Sequence, residues 1–439
     1  MASTEVTPIS TMSSQPFSAN TTVLIIGIIL LSFLILYIVN SFFIYREQGT
    51  IKNVTELSKI QDLLIQERAS LFGQKIDGFA DLGTPTKCDL SGNVSLLNIQ
   101  PITLKQAGFI GPLNAGVFNE DIFTLNALKA GSRTFLFQID YYEGTAKDPA
   151  LFPAPLEPCL LYRDDNGSLV SLNAGSILNM STSIAQYAFS NIVPLNTDPV
   201  VIILYGLRSP DPILKPKEYL AYCSKIAKQL NPLMSKMVDP TIYRRQGRES
   251  NLFSLPFSTF RGQVIVLSNF DTTIFRNTTL FSKLNIPTYS PNDDLDYVTH
   301  AQLYTDDTTT GLTRFAPTGK RTYGRVTTVD TLLGLSKSDQ IGWATKNSDY
   351  FTVVLSKPTS NLSVIDTTTL IKKIGVNILP IDIFFQDVND TKDLLTLWNN
   401  CAWNLKPFAL WPAPAPIAAP APIAAPALFT PPQQQCAIQ

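Results

Sequence analysis

The sequence predicts an α/β fold in which short parallel strands alternate with helices, and three observations predict it. From about residue 100, brief apolar runs recur between helical or loop stretches, the pattern of repeated βαβ units. One segment, 217–231, has the outline of a packing helix: Pro216 enters it, Pro232 stops it, and Leu220, Cys223, Ile226, Ala227 and Leu230 share one face. With 439 residues, 45% of them hydrophobic, the chain can bury one large core, since single α/β barrels run to ~250 residues or more.

The candidate strands are 135–140, 159–162, 200–205, 264–268, 297–303, 351–356 and 376–381, with a first one near 107–113, which makes eight. Residues 284–349 are rich in Thr, Asp and Gly and read as loop, an insertion over one barrel mouth.

Residues 22–44 form an almost charge-free apolar run of the ~20-residue length that spans a bilayer as a helix. The leader before it holds Glu5 and no Lys or Arg, so it lacks the basic start of a cleavable signal peptide, and the segment is expected to stay as an anchor. Arg46, Lys52 and Lys59 follow it, which puts the large domain on the cytoplasmic side. Eight Asn-x-Ser/Thr sequons, starting at Asn20, Asn53, Asn93, Asn166, Asn179, Asn277, Asn361 and Asn389, argue the reverse if glycosylated; in a chain this rich in Asn, Ser and Thr many arise by chance, and the charge asymmetry is given more weight.

After the anchor, 54–76 places Leu57, Ile60, Leu64 and Leu71 at near-heptad spacing among polar residues, an amphipathic helix. At the other end, 411–432 carries Pro-Ala-Pro-Ile-Ala-Ala twice, at 414–419 and 420–425. Proline at that frequency bars helix and sheet, so the tail is expected to be extended polyproline II. The expected organisation is a leader (1–21), a transmembrane helix (22–44), a juxtamembrane helix and linker (45–99), a barrel (100–410) and a tail (411–439).

A formal net charge of -1 argues against a nucleic-acid partner. The basic run at 243–248, with Arg244, Arg245 and Arg248, reads as a solvated loop. Cys88, Cys159, Cys223, Cys401 and Cys436 are odd in number and widely spaced, with no zinc pattern, so they read as buried small hydrophobes in a reducing compartment rather than a disulfide framework. No phosphate loop or Ser/His/Asp arrangement is present, and no cofactor is expected.

The run 130–144, Ala-Gly-Ser-Arg-Thr-Phe-Leu-Phe-Gln-Ile-Asp-Tyr-Tyr-Glu-Gly, resembles the phosphatidylinositol-specific phospholipase C family, where the matching strand reads roughly Gly-Cys-Arg, hydrophobics, then Glu-Leu-Asp-x-Trp-Asp-Gly. Other motifs follow in family order. Pro112-Leu113-Asn114-Ala115-Gly116 lies where the family has Ser-His-Asn-Thr, and 158–163, ending in Tyr162-Arg163, lies where it has Tyr and the second catalytic His. Residues 198–206 resemble a strand that ends in a metal-binding Glu, here Tyr205-Gly206. Leu255-Pro256 with 261–268, then 375–382, and finally Asn404-Leu405-Lys406-Pro407 resemble the remaining strands and the terminal Tyr-x-Leu-Lys-Pro. The resemblance covers roughly 100–410 and implies a TIM-type (β/α)8 barrel.

The same resemblance implies a degenerate site. Leu113 and Arg163 replace the two catalytic histidines, and Gln138 replaces a carboxylate at the metal, so no metal is expected; Asn114 and Asp140 survive. Phospholipase C cleavage needs a base for the attacking hydroxyl and an acid for the leaving alkoxide, and this chain has one histidine, His300. Guanidinium does not give up its proton, so Arg163 is no substitute base. Asn114, Arg133, Asp140 and Arg163 remain as candidate phosphate or ligand contacts.

The expectation is therefore a membrane-anchored pseudoenzyme with a scaffolding role, its partners the lipid bilayer through 22–44 and the proteins of an assembly. The anchor combined with Pro/Ala repeats looks like structural proteins of large DNA viruses, a minor capsid or inner-membrane protein of the virion. Two alternatives stand beside it: a phosphodiesterase with a site rearranged around Asp140, Glu143 and His300, and a lipid-binding module holding phosphoinositide headgroups near Arg163.

Overall fold

The computed structural model describes residues 28–37, 63–68, 70, 90, 94–112, 116–144, 151–239, 252–276, 278–286, 288–305, 324–360, 362–382, 394–398 and 401–411. The chain divides into two units, 1–64 and 65–439. In the first, residues 28–37 are helical with every residue exposed. No helix among the described residues is long and apolar enough to cross a membrane. The rest of the expected 22–44 span lies outside them, as do most of the 54–76 helix and the Pro/Ala tail. Of that juxtamembrane helix, 63–68 is helical; Leu64 is exposed there, while Ile65 packs against the core of the second unit.

The second unit is built on eight parallel strands: β1 Thr103–Leu104, β2 Thr134–Tyr141, β3 Val200–Gly206, β4 Val264–Ser268, β5 Ala301–Thr305, β6 Gly324–Thr328, β7 Phe351–Leu355 and β8 Pro380–Ile381. From β1 to β7 each pairs with the next in order, and β8 pairs back onto β1. A parallel bridge between Val353 and Ile378 joins β7 to the lead-in of β8, which closes the ring. This is the (β/α)8 barrel that the sequence predicts.

Alternation along the strands sorts side chains into two cores. Phe135, Phe137 and Ile139 of β2, Val200, Ile202 and Leu204 of β3, and Val264 and Val266 of β4 face outward onto the helices. Leu136, Val201, Ile203, Ile265, Leu267, Leu303, Val326 and Val353 fill the interior. Among the helices that cover the outer face are α1 Glu120–Lys129, capped by Asn119, α2 Ile177–Tyr187, capped by Ser176, and α3 Pro216–Gln229. Proline at the first position starts α3 as expected, and Leu220, Cys223, Ile226 and Ala227 are buried.

Several expected strands are redistributed. The first stave is β1; Phe109–Ile110 instead forms an antiparallel pair with Val117–Phe118. Pro158–Leu160 pairs antiparallel with the end of β2 and is not a stave. The expected strand at 297–303 begins at Ala301, because Asp294 caps a short helix, Leu295–Val298, by accepting from the amides of Asp296 and Tyr297. β6 lies within the stretch that reads as loop. Its Arg325 carries no apolar signal, yet it is buried, stacked 3.9 Å from the Trp343 ring and bonded to Thr352 and Asn347.

A strap closes the N-terminal end of the barrel. Ile99–Pro101 pairs antiparallel with Trp403–Leu405, Trp403 packs edge-on to Phe257, and Lys406 reaches in to the Asn347 carbonyl and the Asn377 side chain. Cys159 and Cys223 are buried free thiols, as expected, but Cys401 is disulfide-bonded, its partner outside the described residues. Spacing alone carries no information on pairing, which is why the sequence reading missed this bond.

Candidate functional site

The C-terminal end of a β/α barrel is where chemistry resides in this architecture, because strand ends there converge on a common mouth. β2 delivers Gln138 and Asp140 to it on the inward face, two residues apart. Asp140 is fully buried, and both carboxylate oxygens are taken. Oδ2 accepts from Arg163 Nε at 2.6 Å. Oδ1 accepts from Arg208 Nε at 2.6 Å and from the Tyr141 amide at 2.7 Å.

Arg208 sits two residues past β3 and spreads its fork over three acceptors: Asp140, Glu143 and the Tyr141 carbonyl. It also lies 4.5 Å over the Tyr141 ring. Burial pulls its guanidinium down, but Asp140 and Glu143 more than offset that and hold it above its ordinary value. Arg163 is fixed by a tight turn: its Nη1 donates to the Gly167 carbonyl, and Asp164 accepts from the amides of Asn166 and Ser168. Two guanidinium groups thus face two carboxylates, Asp140 and Glu143, and the cluster is electrically balanced.

Around the ring, Lys105 after β1 meets Asp382 after β8 at 3.6 Å, both buried. Burial lowers the Lys105 ammonium below its ordinary value and pushes Asp382 up to about 6. The Lys105 amine also donates to the carbonyls of Lys357 (2.6 Å) and Pro358 (2.8 Å), and the Tyr162 hydroxyl reaches Pro358 as well. Asp165 holds Thr359 of the same turn. The turn 357–360 is therefore tied across the mouth by polar contacts from three residues on two segments, Lys105 on one and Tyr162 and Asp165 on the other.

The remaining expected site residues fall elsewhere. Leu113 and Asn114 lie outside the described residues. Arg133 is not a ligand contact: it precedes β2 at the opposite end of the barrel, fully buried, donating to the carbonyls of Ala188 and Asp198 at 2.6 Å each and to Pro199. Burial lowers its pKa to about 10. Arg163 is likewise committed to Asp140 and Gly167. His300 does not join Asp140 and Glu143; its Nδ1 accepts from the Val266 amide at 2.8 Å and its Nε2 faces the Val238 carbonyl at 3.3 Å.

Arg208, Lys105 and Asp382 were not singled out from sequence. Their signal is positional, since each stands one or two residues past the end of a barrel strand.

The residues do not fit a divalent ion at Asp140. Calcium takes six to eight oxygens, about half of them anionic in tight sites. Here the Asp140 oxygens are occupied by two cationic side chains, and position 138 offers a neutral amide. Gly206, at the strand end where the resembled family carries a carboxylate, has the Phe270 ring packed onto it: a Cβ at 206 would lie 2.5 Å from Phe270 Cζ. Among the described residues no cluster of three or more His, Cys, Asp or Glu is arranged for a metal.

No family model and no curated protein sequence matches the chain. Solved structures do match. PLC21 of L. pealei aligns with a TM-score of 0.46 and 15% identity over 73% of this chain, which spans 39% of that protein's length. The calcium-dependent phosphoinositol-specific phospholipase C of Pseudomonas sp. aligns with a TM-score of 0.35 and 10% identity, covering 67% of this chain and 92% of the enzyme. The calcium-dependent phosphatidylinositol-specific phospholipase C of Streptomyces antibioticus gives 0.33 and 7%, covering 60% and 82%.

Proposed function

We propose that this protein is a membrane-anchored, non-hydrolytic barrel of phospholipase C type with a scaffolding role, linking a bilayer to a protein layer such as the capsid of a large DNA virus. The observation that carries the reading is the state of the chain's only histidine. A phospholipase C reaction requires a proton acceptor and a proton donor poised near neutrality. His300 is buried, its pKa is pushed down to about 4, and both ring nitrogens serve the β4 and Val238 backbone. The sequence holds no second imidazole, and a guanidinium, as at position 163, offers no lone pair to act as a base.

The apolar run at 22–44 supports attachment to the membrane, and the basic residues after it support a cytoplasmic barrel. The Pro/Ala tail supports reach toward a neighbour.

The test is the full-length protein in mixed micelles of detergent and phosphatidylinositol, with and without calcium. The expected result is no release of inositol phosphate above the lipid-only blank. Turnover lost on His300→Asn would overturn the reading. Cross-linking in the native membrane or particle fraction is expected to recover a fixed protein neighbour.

A further inference from the structure

We propose that Arg208 is the resident cation of the barrel mouth: its guanidinium takes the acidic pair Asp140 and Glu143 that a divalent ion would need, and the protein is calcium-blind for that reason. The inference extends the non-hydrolytic reading, but it is tested by cation binding rather than turnover, so either can fail alone.

The geometry is that of a three-point replacement. A calcium ion would draw on oxygens of several residues at once. Arg208 contacts three such oxygens with three different nitrogens: Nε on Asp140, Nη1 on Glu143 and Nη2 on the Tyr141 carbonyl. Its planar fork is suited to this in a way a single-point ammonium is not. Arg163 takes the other oxygen of Asp140, so each oxygen of this fully buried carboxylate already faces a guanidinium.

Charge gives the same answer. With two guanidinium groups and two carboxylates the cluster sums to zero, and an added divalent ion would leave two uncompensated positive charges beside a fully buried aspartate.

One buried atom records what is missing. Gln138 Oε1, two residues below Asp140 on the same inward face of β2, is buried and makes no hydrogen bond. Arg208 spends three of its five N–H groups on the other oxygens and reaches this one with none; an ion bound at this strand end would not leave it idle. Removing Arg208 therefore uncovers a set of oxygens, from Gln138, the Tyr141 carbonyl, Asp140 and Glu143, that carries a net charge of -1 once Arg163 is counted.

The experiment is a calcium titration of the full-length protein in detergent, followed by calorimetry and by terbium luminescence, for wild type, Arg208→Ala, Arg208→Gln and Arg208→Lys. Wild type and Arg208→Lys are expected to show no calcium binding. Arg208→Ala and Arg208→Gln are expected to bind calcium at least ~10-fold tighter than the detection limit that bounds wild type, with a melting temperature that rises with calcium, because affinity in such sites follows the anionic charge left to the ion. Wild-type calcium binding that disappears in Asp140→Asn would overturn the proposal. So would folded Ala and Gln variants that bind no calcium, or variants that stay unfolded whether or not calcium is present; variants that fold only with calcium would support it.

Discussion

Acidification is expected to cost this fold about 3 kcal/mol through His300 alone. The ring is fully enclosed between β4 and Val238, and burial lowers its pKa from 6.5 to about 4. At about 1.4 kcal/mol per pKa unit the full drop is worth about 3.5 kcal/mol, of which about 3 kcal/mol is lost between pH 7 and pH 4, because the buried ring is itself about half protonated at pH 4. The sign follows from the direction of the shift. The unfolded chain takes up the proton first, so the contribution is intact above pH 6.5 and is lost as the pH falls to about 4. The perturbation is His300→Asn, which keeps an oxygen to accept from the Val266 amide but does not titrate. Urea unfolding of the full-length protein at a series of pH values reads the effect, with the buried Trp398 and Trp403 as fluorescent reporters. The stability gap between wild type and variant should change by about 3 kcal/mol between pH 7 and pH 4. A gap constant within about 0.5 kcal/mol across that range would refute the reasoning.

Asp140→Asn leaves two guanidinium groups facing a neutral amide and is expected to cost about 3–5 kcal/mol in the same urea titration; a loss below ~1 kcal/mol would mean the clamp is not structural. Gly206→Glu drives side-chain atoms into the Phe270 ring and is expected to cost about 1–3 kcal/mol without conferring calcium binding, and recovery of the lost stability by calcium would contradict the packing described here. Lys105→Met removes the amine that gathers the carbonyls of the turn 357–360. Hydrogen exchange there is expected to accelerate by at least ~10-fold while β7 stays protected, and unchanged exchange would show that the turn is held by other means.

How far the fold was legible can be argued stave by stave. β2, β3 and β4 announce themselves because they are buried on both faces, so their apolar runs are continuous and leave little else for the chain to do. β1 is two residues long, too short for any run to register, and β6 hides behind a glycine, an arginine and two threonines. The buried Arg325 is the clearest case: its stem and its stacking on Trp343 do the work of an apolar residue, which a hydropathy pattern cannot see. The site was legible in part. Asp140 and Arg163 were both identified, but their mutual contact depends on the antiparallel strand Pro158–Leu160 folding back along β2. Arg208 comes from a stave 68 residues away, and Arg133 looked like a ligand contact only because charge was weighed without burial.

The strap has a mechanical consequence. The chain enters the barrel through Ile99 and leaves it through Leu405, and these two residues are cross-strand partners at the same end of an antiparallel ladder. The ladder therefore holds the entry and the exit of the barrel side by side, about one strand spacing (~5 Å) apart, so that the segments attached at its two ends are fixed to one another through three residue pairs.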